Sequence, residues 1–112
     1  MNASERHLSQ LFSALSDPTR RAILARLAHD GEATISDLAR PFRMSLPAIS
    51  KHIRVLEHAG LLERQVRGRE HRCRLQPRPL KDAVDWLAEY RQYWEGQLDA
   101  LARYLSDSPD AQ

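Results

Sequence analysis

Ser50, Lys51 and Arg54, with His58 a turn further on, recur at spacings that place them along one face of a helix, while Ile49, Ile53 and Leu56 fall on another. The apolar stripe seats such a helix on a body and leaves a hydroxylated, basic face for solvent or a ligand. Five arginines then crowd between positions 64 and 74 (Arg64, Arg67, Arg69, Arg72 and Arg74). So many guanidinium groups on a short ribbon are unusual unless they meet phosphate, which their planar fork fits. This chemistry is the recognition of a polyanion. Bond-making machinery is missing: there are no paired carboxylates, no nucleophile beside a base and no phosphate-cradling glycine loop. The four glycines stand at turns or in the closing helix, and no enzyme is expected.

The charge distribution points the same way. A net charge of +2 conceals a middle segment, residues 40–75, with nine basic side chains against three acidic ones. Residues 1–39 and 76–112 each carry an acidic excess. A polyanion could neutralise the middle third; a solvated basic surface is the plainer reading of charge alone. At 112 residues, 42% hydrophobic and 29% charged, the chain fits one soluble domain with one modest core. No apolar run approaches the roughly 18 residues that a bilayer requires, and residues 1–7 lack a secretory pattern. The single cysteine, Cys73, excludes an intrachain disulfide and a Cys-rich zinc site. A cytoplasmic protein is expected, with no membrane partner.

Several elements must position these residues. Leu8, Leu11, Phe12 and Leu15 predict a first helix over residues 4–15. Asp17 and Pro18 are a cap and a first helical residue for a second helix, which carries Ile23, Leu24, Leu27 and Ala28 and stops before Asp30-Gly31. Thr34-Ile35 reads as a short extended stretch, and Ser36 as the cap of a short third helix with Leu38, Ala39 and Phe42. Pro47 is tolerated just after a Ser cap, so a fourth helix should start at Ser45, run to about His58 and stop at Gly60. The period then changes to two on either side of Arg67-Gly68-Arg69-Glu70, which predicts a β-hairpin. Cys73 would face inward with Val66 and Leu75. From Leu80 the sequence predicts one closing helix of about 25 residues, about 38 Å long.

That order defines a winged helix-turn-helix fold, mainly α with one small β-hairpin, in a single domain over residues 1–106 with a frayed tail at 107–112. The fourth helix would enter the major groove of double-stranded DNA. Ser45, Leu46, Pro47 and Ala48 allow close approach, Ser50 can donate or accept, and Lys51 and Arg54 can reach guanine or phosphate. On the wing, Arg67, Arg69 and Arg72 would grip phosphates or enter the minor groove. The closing helix carries more apolar surface than a small domain can cover, and a two-fold interface is its simplest outlet. Leu8, Phe12, Leu87, Tyr90, Trp94, Leu98 and Leu101 are the candidates for that homodimer contact.

Two stretches carry a specific resemblance. Leu11-Phe12-Ser13-Ala14-Leu15-Ser16-Asp17-Pro18-Thr19-Arg20-Arg21-Ala22-Ile23-Leu24 is similar to the opening of the ArsR family of bacterial winged helix-turn-helix repressors. Ser45-Leu46-Pro47-Ala48-Ile49-Ser50-Lys51-His52-Ile53-Arg54-Val55-Leu56, followed by Glu57-His58-Ala59-Gly60-Leu61-Leu62, resembles that family's recognition helix. The resemblance implies a homodimer joined by its first and last helices, binding an imperfect palindrome and repressing nearby genes. It also implies that Leu46, Pro47, Ser50 and Lys51 face the major groove.

The chain departs from the family's metal sensors. Those members carry Cys-x-Cys at the start of the third helix, or Asp, His and Glu ligands in the last. Here the first place reads Thr34-Ile35-Ser36-Asp37-Leu38, and residues 80–106 hold no His and no Cys. Soft metals need such ligands, so no metal or other cofactor is expected. Asp82, Asp85 and Glu89 read as a solvated face. Cys73 reads as a small buried hydrophobe, with a redox role open if nearby arginines lower its pKa. Trp86, Tyr90, Tyr93 and Trp94 read as interface packing, or as the lining of an aromatic ligand pocket. The effector is therefore open: an organic molecule, a redox change, or none beyond the protein's own abundance. Non-specific nucleic-acid binding and a protein-interaction winged helix are the rival functions.

Overall fold

The computed structural model describes residues 3–107. Helices α1 (Ala3–Leu15) and α2 (Pro18–Asp30) lead into strand β1 (Glu32–Thr34), a short α3 (Ile35–Ala39) and α4 (Leu46–His58). Strands β2 (Leu62–Arg67) and β3 (Glu70–Leu75) follow, and then α5 (Arg78–Ala88) and α6 (Arg91–Asp107). The caps explain these boundaries. Asp17 accepts the Arg20 N–H at 3.1 Å and Ser45 accepts the Ala48 N–H at 3.3 Å, each just before a helix with proline in its first turn. Gly60, at φ 75°, bonds back to Glu57 and turns the chain from α4 toward the wing. Gly68, at φ 66°, opens the two-residue loop of the hairpin, where a side chain would be strained.

One core serves the whole body. Leu11, Ile23, Leu27, Leu38, Ile49, Ile53, Leu56, Leu61 and Cys73 are all buried there. They come from α1 through α4, from the residue before β2 and from β3, so α4 is held from behind along its length. No buried polar side chain is left without a hydrogen-bond partner among the described residues.

The structure corrects the sequence reading in four places. The extended stretch lies at Glu32–Thr34 and pairs antiparallel with β3, Ala33 opposite Cys73, giving a three-stranded sheet in the order β1-β3-β2 instead of a lone hairpin. Three residues were too few to show a period of two. The same strand delivers Thr34, not Ser36, as the cap of α3, its hydroxyl accepting the Asp37 N–H at 3.1 Å. Val66 shares the inward face of the hairpin with Cys73 and Leu62, but it is 60% exposed. That face runs off the body toward the wing tip, where nothing lies beneath it.

The closing helix is two helices. It begins at Arg78, with Pro79 in its first turn, and breaks after Ala88. There the Glu89 and Tyr90 N–H groups bond to Trp86 and Leu87, three residues back, tightening the turn. The break carries no Pro or Gly to mark it in the sequence. It falls where the chain leaves its own domain: α5 packs on α1, whereas every described side chain of α6 is exposed. The tail expected from position 107 begins with the last residue of α6, and residues 108–112 lie outside the described part.

Candidate nucleic-acid interface

The residues singled out on α4 stand together on one exposed surface. Ile49, Ile53 and Leu56 are fully buried, which rotates Pro47, Lys51 and Arg54 outward and leaves Leu46 53% exposed at the first turn. Ser50 and Ala48 are partly buried at the margin of that face. The underside of α4 is tied to the α1–α2 corner. Arg20 donates from Nη1 to His52 Nδ1 at 3.1 Å, from Nε to the Ala14 carbonyl at 2.7 Å and from Nη2 to the Ser13 carbonyl at 3.1 Å. One guanidinium therefore joins the end of α1, the start of α2 and the recognition helix. The Arg20 N–H holds the Asp17 carboxyl below the usual carboxylate range, and the His52 ring and Arg20 charge act in the same direction.

The wing arginines divide by partner. Arg64 is bonded to Glu57 of α4 and reaches His71 at 3.5 Å, so it fixes the wing against the recognition helix. Arg72 meets Glu32 at 3.0 Å and Glu70 at 3.1 Å, bracing β3 against β1. Arg67 bonds to Gln65. Arg69 at the tip and Arg74 are exposed and have no partner among the described residues, as is also true of Arg43, Lys51 and Arg54. Five of the nine cations of the middle segment thus have no partner among the described residues, and Arg67 meets only a neutral amide. Sequence reasoning grouped Arg72 with Arg67 and Arg69 and passed over Arg74, because ion pairs between α4, β1 and the wing are long-range.

A concave cleft of about 600 Å³ separates α4 from the wing, lined by Ser36, Leu46, Ser50, Arg64, Arg69 and His71 among others. Ser36 and His71 were not among the residues that the sequence singled out for this surface. Cys73 lies at the base of the wing and is wholly buried. Burial pushes its thiol up from an ordinary 9.0 to about 11, outweighing the charge of Arg64. The lowered pKa that a redox role would need is therefore contradicted, and the buried-hydrophobe reading stands. Native protein is expected to resist thiol alkylation at mildly alkaline pH and to react once unfolded in urea. Fast alkylation of the folded chain would show the opposite.

On the far side, Phe12 and Trp86 meet edge to face with ring centroids 5.6 Å apart, and Trp86 and Tyr90 lie 5.0 Å apart. Trp86, Leu87, Tyr90 and Tyr93 surround an open, almost wholly apolar hollow of about 280 Å³. Leu8 packs against the core, while Phe12, Leu87, Tyr90, Leu98 and Leu101 stay exposed; the side chain of Trp94 lies outside the described part. Of the acidic residues on α5, Asp82 lies 3.5 Å from His7 and Asp85 pairs with Lys81 at 2.8 Å. Among the described residues no group of three or more His, Cys, Asp or Glu gathers to hold a metal, and no helix is long and apolar enough to cross a membrane.

Comparison with known proteins gives a consistent picture. A helix-turn-helix domain family matches residues 15–65. The transcriptional repressor SdpR of Bacillus subtilis is 34% identical over 83 residues, covering 74% of this chain and 91% of that protein. The arsenical resistance operon repressor of Escherichia coli is 32% identical over 97 residues, 87% of this chain and 83% of its own. Among solved structures, one of an ArsR family transcriptional regulator superposes with a TM-score of 0.77 at 43% identity, covering 85% of this chain and 97% of the other. An ArsR-like transcriptional regulator from Rhodococcus sp. RHA1 superposes with a TM-score of 0.70 at 32% identity, covering 92% and 96%.

Proposed function

This chain belongs to the ArsR family of winged helix-turn-helix transcriptional regulators, and we propose that it represses transcription as a homodimer bound to a palindromic operator. The observation that carries the reading is the set of cations left without partners. Lys51 and Arg54 on α4, Arg43 before it, and Arg69 and Arg74 on the wing have no carboxylate partner among the described residues. Clustered exposed cations without carboxylate partners build a positive potential that attracts a polyanion, whereas Arg40 is paired with Asp37.

The division of labour follows from position. Leu46, Pro47 and Ala48 present apolar surface at the first turn of α4, suited to thymine methyls, and Ser45 stays beside them as the cap. Ser50 and Lys51 then reach base edges, while Arg54 reaches phosphate. Arg67 and Arg69 at the wing tip grip the neighbouring backbone or minor groove. Arg72, already braced by two carboxylates, acts mainly by holding the wing in place.

Homodimerisation is supported by α6. It is a 17-residue helix with every described side chain exposed, including Tyr93, Leu98, Leu101, Tyr104 and Leu105. Isolated helices of such length are marginal in water, and a second copy would supply a surface for it to lie on. The radius of gyration, 19.1 Å, exceeds the roughly 13 Å of a compact domain of about 100 residues, as a projecting arm requires. A second copy covers Leu87, Tyr90, Leu98 and Leu101 with the same residues, and Phe12 of α1 borders the patch.

Selection of bound duplexes from a randomised pool tests the proposal. An inverted repeat with half-sites roughly 10–10.5 base pairs apart, or a multiple of that, is expected. Recovery of duplexes with no shared sequence would favour non-specific binding.

A further inference from the structure

Arg20 directs its half-buried guanidinium at two carbonyls and an imidazole. Nε and Nη2 reach the Ala14 and Ser13 carbonyls in the last turn of α1, at 2.7 and 3.1 Å. Nη1 meets Nδ1 of His52, on the recognition helix, at 3.1 Å. A guanidinium has donors only, so this contact requires a lone pair on Nδ1. The Asp17 carboxylate stands close by, its Oδ2 3.9 Å from the same Nδ1. Nδ1 therefore has two neighbours of opposite charge: it can meet Arg20 only as an acceptor and Asp17 only as a donor. The other elements packed on α4 engage their charges elsewhere. α1 faces it with Ser9, Gln10 and Ser13, and Arg21 of α2 turns to the Leu15 carbonyl at 2.7 Å. Asp37 of α3 is held by Arg40 at 2.7 Å, and Arg64 and Glu63 of β2 are bonded to Glu57 and Gln76. On α4 itself Ala48, Ile49, Val55 and Leu56, three and four residues from His52, carry no charge, and His58 is exposed.

We propose that Arg20 and His52 are positioning residues for operator reading, and that one proton on His52 Nδ1 unties the recognition helix from the α1–α2 corner. The inference rests on the DNA-reading proposal and adds a control to it. While Nδ1 carries no proton, Arg20 joins α4 to the end of α1, the helix whose Phe12 borders the apolar patch assigned to a second copy. One guanidinium then sets where α4 stands relative to the two-fold. A proton on Nδ1 removes the acceptor and leaves two cations face to face at 3.1 Å. The new N–H turns to Asp17, so the ring's partner changes from the group that bridges to α1 to the cap of α2. Histidine is the side chain that changes charge between about pH 5 and 8. Asp17, held below the usual carboxylate range by the Arg20 N–H, stays charged throughout that window. Reading of base edges needs donors and acceptors at hydrogen-bond distance and suffers when α4 shifts, whereas attraction to phosphate does not.

The test is the ratio of affinities for the selected operator and an unrelated duplex, measured at constant salt from about pH 8 down to about pH 5.5. In the unsubstituted protein the ratio should fall about tenfold on acidification, as the loss of one hydrogen bond to a charged group implies. His52→Leu removes the acceptor at similar bulk, and its ratio should be low at every pH, with affinity for the unrelated duplex little changed. His52→Asn restores a non-titrating acceptor, Oδ1, near the place of Nδ1. It should recover most of the ratio lost in His52→Leu and hold it level across the pH range. An equal fall in His52→Asn would assign the pH dependence to other histidines, such as His58 or His71, and overturn the proposal. A ratio in the unsubstituted protein that does not change with pH would overturn it too, as would a full ratio in His52→Leu; each of these leaves the DNA reading intact. The nitrogen-15 signals of the His52 ring at pH 8, recorded without DNA on the unsubstituted protein, should report Nδ1 as the unprotonated nitrogen. A proton there would overturn the proposal whatever the variants do. Equal affinity of the unsubstituted protein for both duplexes at pH 8 would overturn the DNA reading and this inference together.

Discussion

The double substitution Lys51→Ala with Arg69→Ala is expected to weaken operator binding by about a hundredfold or more while leaving the fold unchanged. Each replaced group contributes about 1 kcal/mol or more to binding, and a dimer loses every contact twice. Both side chains are exposed and make no bond among the described residues, so the thermal midpoint should stay within about a degree or two of its starting value. The two residues also fail differently. Lys51→Ala should relax discrimination between operator and unrelated duplex. Arg69→Ala should weaken both alike and lower the slope of log affinity against log salt by about two, one phosphate per protomer. Normal operator binding by the double variant would mean that this winged helix meets a protein instead of DNA.

The second large effect concerns α6. Leu98→Glu with Leu101→Glu places two carboxylates on side chains that are 61% and 54% exposed in the single chain. In an isolated protomer the change would be nearly neutral. In a dimer it buries charge against the partner, and association should be lost at micromolar concentration. Sedimentation equilibrium would then report a single chain, near 12.9 kDa. Operator affinity should fall about 10²-fold or more, because two half-sites are no longer held by one linked pair. Helix content should drop as well, since α6 has no other surface to lie on. Retention of a dimer by this variant would place the interface elsewhere.

Much of this arrangement was legible in the residues. Asp17-Pro18 and Ser45 through Pro47 fix two helix starts because a side-chain acceptor before proline leaves the chain few alternatives. The buried stripe Ile49, Ile53, Leu56 decides which face of α4 is free, and so the exposure of Lys51 and Arg54 could be read from spacing. Gly68 between two runs of period two likewise fixed the hairpin. What stayed hidden depends on contacts distant in sequence. β1 is visible only through its pairing with β3, and with it came the cap at Thr34 and the brace from Glu32 to Arg72. The break between α5 and α6 has no residue signal, since it reflects where the domain surface ends. His71 is unremarkable in the sequence, and Ser36 reads there only as a cap that Thr34 in fact provides. They gain meaning only when α3 and the wing are folded around α4.

The central claim is that α4 and the unpaired cations of the wing read a particular DNA sequence. Its most direct test is the ratio of affinities for a selected inverted repeat and a shuffled duplex of equal length, measured at one physiological salt concentration. A ratio of about 10³ or more is predicted, since specific binding in this class exceeds non-specific binding by at least that factor. Equal affinity for the two duplexes would contradict it.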